Sequence, residues 1–338
     1  MAITQKAVVQ WGYGPVRETL VGQADFPIDP PSETQVQIKV RAASVNPIDW
    51  QMIEGNRRMI ARRTFPFVPL FDLAGEVCTV GRSVRRFQVG DMVHCDNEIH
   101  GGGACQFVNV EEDLICAVPS SLGFPEAAAV PLAGQTALTA LDRAAVGVGD
   151  SVVVIGASGG VGSFVVQMAK ALGAARVIAV CSARNESFVR GLGADEVVDY
   201  SVQSIDAAVP PKSIDAVIDC VGGKSQWLAA RHVLRDGGRF VTIARDEDGE
   251  VTMSAVIRLL PPILWRRFSS LFGRRIRYLT VFLKATHTLL ARVDAMIASG
   301  AVKPQVARIY PFSAEGVIAA LEASRNGRVS GKLVVQVS

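Results

Sequence analysis

Residues 151–163 read Ser-Val-Val-Val-Ile-Gly-Ala-Ser-Gly-Gly-Val-Gly-Ser, a β-branched apolar run that passes straight into a glycine turn and then a helical stretch. Strand, tight turn and helix in that order are half of a βαβ unit, which commits this part of the chain to a parallel sheet covered by helices. Each glycine has a physical reason. Gly156 permits the sharp turn, Gly159 and Gly160 let the backbone approach a pyrophosphate, and Gly162 lets the helix pack closely on the strand. The helix N-terminus offers free N–H groups and partial positive charge to phosphate oxygens. The spacing G-x-x-G-G-x-G departs from G-x-G-x-x-G, so the flanking strand and helix carry the argument. A glycine turn without a ligand is the alternative.

The end of the next strand selects among dinucleotides. NAD sites place Asp or Glu there, about 20 residues after the glycines, on the ribose hydroxyls. This chain has Val180-Cys181-Ser182-Ala183-Arg184-Asn185, with no carboxylate before Glu186. The Ser182 hydroxyl and the Arg184 guanidinium suit a 2′-phosphate, so the sequence points to NADPH rather than NADH. The alternative is that Arg184 is a solvated residue in the first turn of a helix.

Short β-branched segments at 6–10, 35–42, 75–80 and 92–95, bounded by Gly, Pro or Asp, predict a strand-rich first third. Helix-like stretches at 126–131 and 136–145 lead into strands at 151–155, 177–181, 196–198, 216–220 and 238–243, with helices at 161–172 and 186–192. The tail predicts helices at 288–299 and 314–324 and strands at 306–311 and 332–337. A length of 338 residues favours two domains. Hydrophobic residues make up 49% and the formal net charge is +3, which excludes a disordered chain and gives no field for nucleic acid as a partner. Six cysteines without a C-x-x-C pair read as reduced thiols. With no signal-like N-terminal run and no apolar stretch of spanning length, a cytoplasmic protein is expected.

Several segments together carry a family resemblance. They are Ala42-Ala-Ser-Val-Asn46-Pro-Ile-Asp49-Trp, Phe65-Pro-Phe-Val-Pro-Leu-Phe-Asp72-Leu-Ala-Gly75, Val89-Gly-Asp-Met-Val and the turn at 156–162. Leu192-Gly-Ala-Asp-Glu-Val-Val-Asp-Tyr200, Asp215-Ala-Val-Ile-Asp-Cys-Val-Gly-Gly and Gly331-Lys332-Leu-Val-Val complete the set. Over nearly its full length the chain resembles a medium-chain dehydrogenase/reductase of the zinc-independent quinone oxidoreductase branch, similar to chloroplast-envelope quinone oxidoreductase homologues. The resemblance implies an α/β chain with a Rossmann doubly wound parallel sheet, residues 124–284, inserted into a GroES-like β-rich catalytic domain, residues 1–123 and 285–338. It implies that Ser158, Gly159, Gly160 and Val161 wrap the pyrophosphate. Ser182, Arg184 and Tyr200 would hold the adenosine phosphate end, and Lys332 would meet the cofactor from the tail. Thr136, Val221 and a strand at 281–283 containing Phe282 would lie near the nicotinamide. A homodimer is expected from the family and from the prevalence of two-fold assemblies.

Zinc-dependent relatives carry a cysteine where this chain has Asn46, and a Gly-His-Glu motif where it has Leu70-Phe71-Asp72. They also carry a lobe of four cysteines near 95–115, where only Cys95 and Cys105 occur. No metal is therefore expected. His94, Cys95, His100, Cys105 and Cys116 match no common ligand spacing and read as small buried side chains and a loop histidine. Without a Lewis acid an alcohol or simple carbonyl is a poor substrate. A quinone or an α,β-unsaturated carbonyl needs less help, because incoming charge spreads onto an oxygen that a few donors can stabilise. Asn46 is the expected donor, with Asp49 orienting its loop or relaying a proton. The alternative for Asn46-Pro47 is a plain turn before proline. Arg57, Arg58, Arg62 and Arg63 read as a solvated basic face or the mouth of a cleft.

Residues 251–277 interleave six arginines with Trp265, Phe268, Leu271 and Phe272, a pattern that suits peripheral contact with an anionic membrane, a lid or a subunit interface. The expected function is NADPH-dependent, zinc-independent reduction of a small quinone or enone. The alternative is an NADPH-binding scaffold or membrane-associated protein without turnover.

Overall fold

The computed structural model describes residues 3–59, 61–244 and 276–337. They fold into two units, one drawn from Met1–Gln135, Lys284–Ala298 and Pro304–Ser338, the other from Thr136–Leu283 and Ser299–Lys303. The basic apolar segment lies, up to residue 275, outside the described residues.

In the second unit six parallel strands lie in the order Glu196–Asp199, Arg176–Cys181, Ser151–Ile155, Ile214–Asp219, Leu234–Thr242 and Arg277–Thr280. Counted along the chain this is 3-2-1-4-5-6, the order of a doubly wound nucleotide-binding sheet. Val152, Val153, Val154, Ile178 and Val217 are fully buried, as continuous apolar strands in a sheet covered on both faces must be. The order reverses between Ser151–Ile155 and Ile214–Asp219, so these two strand ends part at the crevice where such sheets bind ligands. Gly156 leaves one of those ends.

A helix at Lys224–Val233 is absent from the sequence reading because Lys, Gln, Arg and His dilute its apolar face. Its Trp227 packs edge-on against Phe240 and Tyr278 at ring separations of 5.2 and 5.0 Å. That cluster corrects the last strand to Arg277–Thr280 rather than 281–283. Its Tyr278 and the preceding Ile276 are buried, whereas Phe282 is 81% exposed.

The first unit pairs Thr4–Gln10 with Leu20–Pro27 and builds a larger sheet in the order Val306–Pro311, Lys332–Gln336, Gln35–Val45, Asp72–Val80, Met92–Asp96 and Ile115–Ala117. Phe107–Glu111 also pairs with Gln35–Val45. Val36, Ile38 and Val40 alternate inward, the period that marks a half-buried strand in the sequence. Register sets Leu333 opposite Val45, Ser44 opposite Asp72, and Asp72 opposite Asp96. Polar residues distant in sequence thus gather at one end of neighbouring strands. Helix Phe124–Ala128 lays Ala127 and Ala128 against Ala42, Ala74 and Val334. This unit therefore runs on to Gln135, past residue 123. Among the described residues no helix is long and apolar enough to cross a membrane.

Candidate active site

Strand Ser151–Ile155 delivers Gly156 in a left-handed conformation, φ +76°, and helix Gly160–Ala171 starts after Gly159. A Cβ at position 162 would lie 2.2 Å from the Gly156 carbonyl oxygen, so only glycine lets the helix close on the turn. The first intrahelical bond runs from Ser163 N–H to Gly159 O, which leaves the N–H groups of Gly160, Val161 and Gly162 for a ligand or solvent. Ser158 Oγ accepts from Asn185 Nδ2 at 2.9 Å, tying the turn to the loop after strand Arg176–Cys181. A cradle that side chains would fill, at a helix start with orphan donors, fits the pyrophosphate of a nicotinamide dinucleotide.

Ser182 is half-buried in that loop and Arg184 is exposed. Tyr200 is also exposed, and its N–H donates to Cys181 O at 3.3 Å. Asp199, which the sequence reading passed over, reaches the same loop. Hydrogen bonds from Ser201 and the Ala183 N–H hold its carboxyl below the usual range. Buried Asp219 accepts from the N–H groups of Val221 and Gly222 at 3.0 and 2.9 Å, shaping the turn that sets Val221 against Gly156. Thr136 is buried early in helix Pro131–Ala144, and Phe282 lies beyond the last strand.

Asn46 ends strand Gln35–Val45 and caps helix Pro47–Ile53. Pro47 occupies the first helical position, where a missing N–H does no harm, and Asp49 Oδ2 accepts from the Asn46 N–H at 2.6 Å. The Asn46 side chain is buried and held at both ends. Its Nδ2 donates to Asp72 Oδ2 at 2.8 Å and its Oδ1 accepts from Lys332 Nζ. Asp72 also accepts from Ser44 Oγ at 3.0 Å and from the Leu132 N–H at 2.9 Å, and Lys332 Nζ lies 3.4 Å from its Oδ2. The structure thus brings Asn46, Asp49 and Lys332 together. In the sequence Ser44 is only a letter of a matching segment, and Asp72 stands out only as the place of a Glu in zinc-dependent relatives; strand register was the missing information.

Asp49 has no exposed surface, and burial pushes its carboxyl up to about 7 against the pull of the Asn46 N–H. Among the described residues its Oδ1 has no hydrogen-bond partner, and the same holds for Trp50 Nε1 and for Arg63 Nε and Nη2. Such unmet demand inside a protein is what a water or a polar group of a bound molecule satisfies. Arg63 is only 6% exposed, which corrects the solvated face expected for it. Its guanidinium stacks 3.9 Å over the Phe67 ring and donates to Gln10 Oε1 at 2.8 Å, and burial lowers its pKa to about 10.

The Asp49 proton has a consequence for stability. The folded carboxyl keeps it to about pH 7 whereas the free group releases it near 3.8, so throughout that window the folded state binds the extra proton. Stability is expected to fall by a few kcal/mol as pH rises from about 4 to about 7, and to level off above. Asp49→Asn is expected to flatten that slope in urea-unfolding midpoints taken across the range. An unchanged slope would assign the effect to other groups.

Three of the five candidate metal ligands, His94, Cys105 and Cys116, make contacts within the protein. His94 faces Ala127 O at 3.0 Å and Asp294 Oδ2 at 3.1 Å, Cys105 donates to Gly102 O at 3.0 Å, and Cys116 lies 3.2 Å from His287 Nδ1. Among the described residues no group of three or more His, Cys, Asp or Glu is arranged to hold a metal ion.

Residues 32–139 match the family described as "Alcohol dehydrogenase GroES-like domain", and residues 192–335 the one described as "Zinc-binding dehydrogenase". The chain is 32% identical to the NADPH-dependent alkenal/one oxidoreductase, chloroplastic, of Arabidopsis thaliana, over 98% of its own length and 79% of the relative's. It belongs to the medium-chain dehydrogenase/reductase superfamily. This dehydrogenase/reductase is also 42% identical to the Chloroplast envelope quinone oxidoreductase homolog of Arabidopsis thaliana, across 58% of this chain and 62% of the relative. The solved quinone oxidoreductase from Coxiella burnetii superposes with a TM-score of 0.82 at 28% identity, covering 99% of this chain and 100% of that one. The α/β architecture of the superfamily, a Rossmann sheet with a GroES-like unit, is the one observed.

A family described by zinc binding raises the question of whether the Asn46 site fits that metal. It does not. The positions where zinc-dependent members carry Cys and Glu hold Asn46 and Asp72, and the Lys332 ammonium already bridges the two side chains.

Proposed function

We propose that this medium-chain dehydrogenase/reductase is an NADPH-dependent reductase that delivers hydride to a quinone or an α,β-unsaturated carbonyl compound without zinc. The observation that carries the reading is the Asn46 amide, buried and held at both ends, with one N–H left to donate. Relatives named as a quinone oxidoreductase homolog and as an NADPH-dependent alkenal/one oxidoreductase support the substrate class.

NADPH, bound at the glycine turn, supplies the hydride. The N–H groups of Gly160 and Val161, with Ser158, bind its pyrophosphate, and Gly156 and Gly159 give the room. Ser182 and Arg184 take the 2′-phosphate, with Tyr200 at the adenosine end, and we assign Thr136, Val221 and Phe282 to the nicotinamide. Asn46 Nδ2–H donates to the acceptor's oxygen, where negative charge gathers during reduction. A donor fixed in a dry site favours that charged state over the neutral substrate. Asp49 still holds a proton near neutrality and is the group we assign to return it to the product.

Fluorescence titration with both reduced nicotinamides, followed by a panel of naphthoquinone, phenanthrenequinone, acrolein and cyclohexenone, tests the reading. NADPH is expected to bind at least about tenfold tighter than NADH, and Arg184→Ala to close most of that gap. Acceptor-dependent oxidation of NADPH is expected with a member of the panel. Binding without turnover of any quinone or enone would overturn the enzyme and leave a nucleotide-binding scaffold.

A further inference from the structure

We infer that Lys332 is the resident cation of this site, a positioning residue that clamps the Asn46 amide and strengthens its remaining N–H as a donor. The inference rests on the reading that Asn46 serves the acceptor oxygen. Backbone geometry brings the lysine there. Gly331 turns with φ +97°, the Lys332 N–H donates to Gln305 O at 2.7 Å, and Leu333 pairs with Val45. The ammonium, on a side chain 3% exposed, then meets Asn46 Oδ1, Val45 O at 3.2 Å and Asp72 Oδ2 at 3.4 Å. Three acceptors match the three N–H donors of an ammonium. Its charge is thus used inside the unit, a different task from the cofactor contact implied by the family resemblance.

An amide can sit between an ammonium and a carboxylate one way round only. Its oxygen turns to Lys332 and its nitrogen to Asp72; the flipped amide would set N–H against a cation and oxygen against an anion. One Nδ2 hydrogen is thereby committed to Asp72, and the direction of the other is fixed. A cation on the amide oxygen also draws electron density from the nitrogen, so the free N–H donates more strongly to a developing oxyanion. A buried ion pair adds little net stability of its own, which leaves orientation and polarisation as its use.

Two variants test this, Lys332→Met and the combination of Lys332→Met with Asp72→Asn. The second removes both charges, so no lone buried carboxylate remains to unfold the chain. In the combined variant kcat is expected to fall about ten- to a hundredfold, the range for partners that orient a functional group. NADPH affinity is expected to stay within about twofold of the parent protein. Introduced into Asn46→Ala, the same two changes are expected to alter kcat by less than about twofold, because Lys332 acts through that amide. Equal losses in the two backgrounds, or an unchanged kcat in the first, would overturn the inference.

A second readout does not depend on turnover. With asparagine side chains selectively labelled for NMR, the Asn46 amide resonance is identified by its loss in Asn46→Ala. It is expected to move in Lys332→Met, and a resonance that stays in place overturns the clamp. A moved resonance in a protein that reduces no acceptor would defeat the proposed function and leave the clamp standing.

Discussion

Asn46→Ala is expected to lower kcat by about a hundred- to a thousandfold, the usual loss when one donor to a developing oxyanion is removed. NADPH affinity is expected to stay within about twofold, because the glycine turn is untouched. The loss is expected to be larger for cyclohexenone than for a quinone, since the weaker electrophile leans more on the donor. The substitution also takes the Oδ1 partner from Lys332 and one donor from Asp72, and it replaces a helix cap. A destabilisation of about 1–2 kcal/mol is expected with it, so rates belong well below the new unfolding midpoint. Unchanged turnover would move the acceptor oxygen to another donor.

Gly162→Ala is the second large effect. The added Cβ would lie 2.2 Å from Gly156 O, 2.8 Å from Ala157 Cα and 2.9 Å from Ala157 C. All three are backbone atoms of the turn itself, so no flexible side chain can yield. Either helix Gly160–Ala171 lifts off the strand end or the turn opens, and both spoil the alignment of the N–H groups that a pyrophosphate needs. NADPH binding is expected to weaken more than a hundredfold, with a loss of several kcal/mol in stability. Gly191→Ala is the matched control. A Cβ there meets nothing within 4 Å, so it is expected to be neutral or slightly stabilising. Normal NADPH titration of Gly162→Ala would show that the turn does not carry the cofactor.

Much of this architecture is legible in the chain because the parallel strands are unbroken apolar runs. Val152–Ile155 and Val177–Cys181 have few ways to hide except inside a covered sheet. The glycine turn is legible for a related reason, since few other residues tolerate φ +76° or the contact at position 162. Legibility fails where an element owes its place to distant packing. Helix Lys224–Val233 has a diluted stripe and is held by Trp227 against Phe240 and Tyr278, which also shifts the last strand off 281–283. Arg63 reads as one more solvated arginine until Phe67 and Gln10 close over it. The Asn46 clamp shows the limit most clearly. Asn46, Asp72 and Lys332 meet only through antiparallel registers that no local pattern announces.

In the proposed reaction the folded protein passes hydride from NADPH to a conjugated acceptor. This transfer is tested most directly by following oxidation of NADPH, protiated and deuterated at its transferable position, at saturating cofactor against the same quinones and enones. An acceptor is expected to be reduced in step with NADPH loss, and deuteration to slow single-turnover oxidation. Stable, unoxidised NADPH on the folded protein with every quinone and enone present would contradict it.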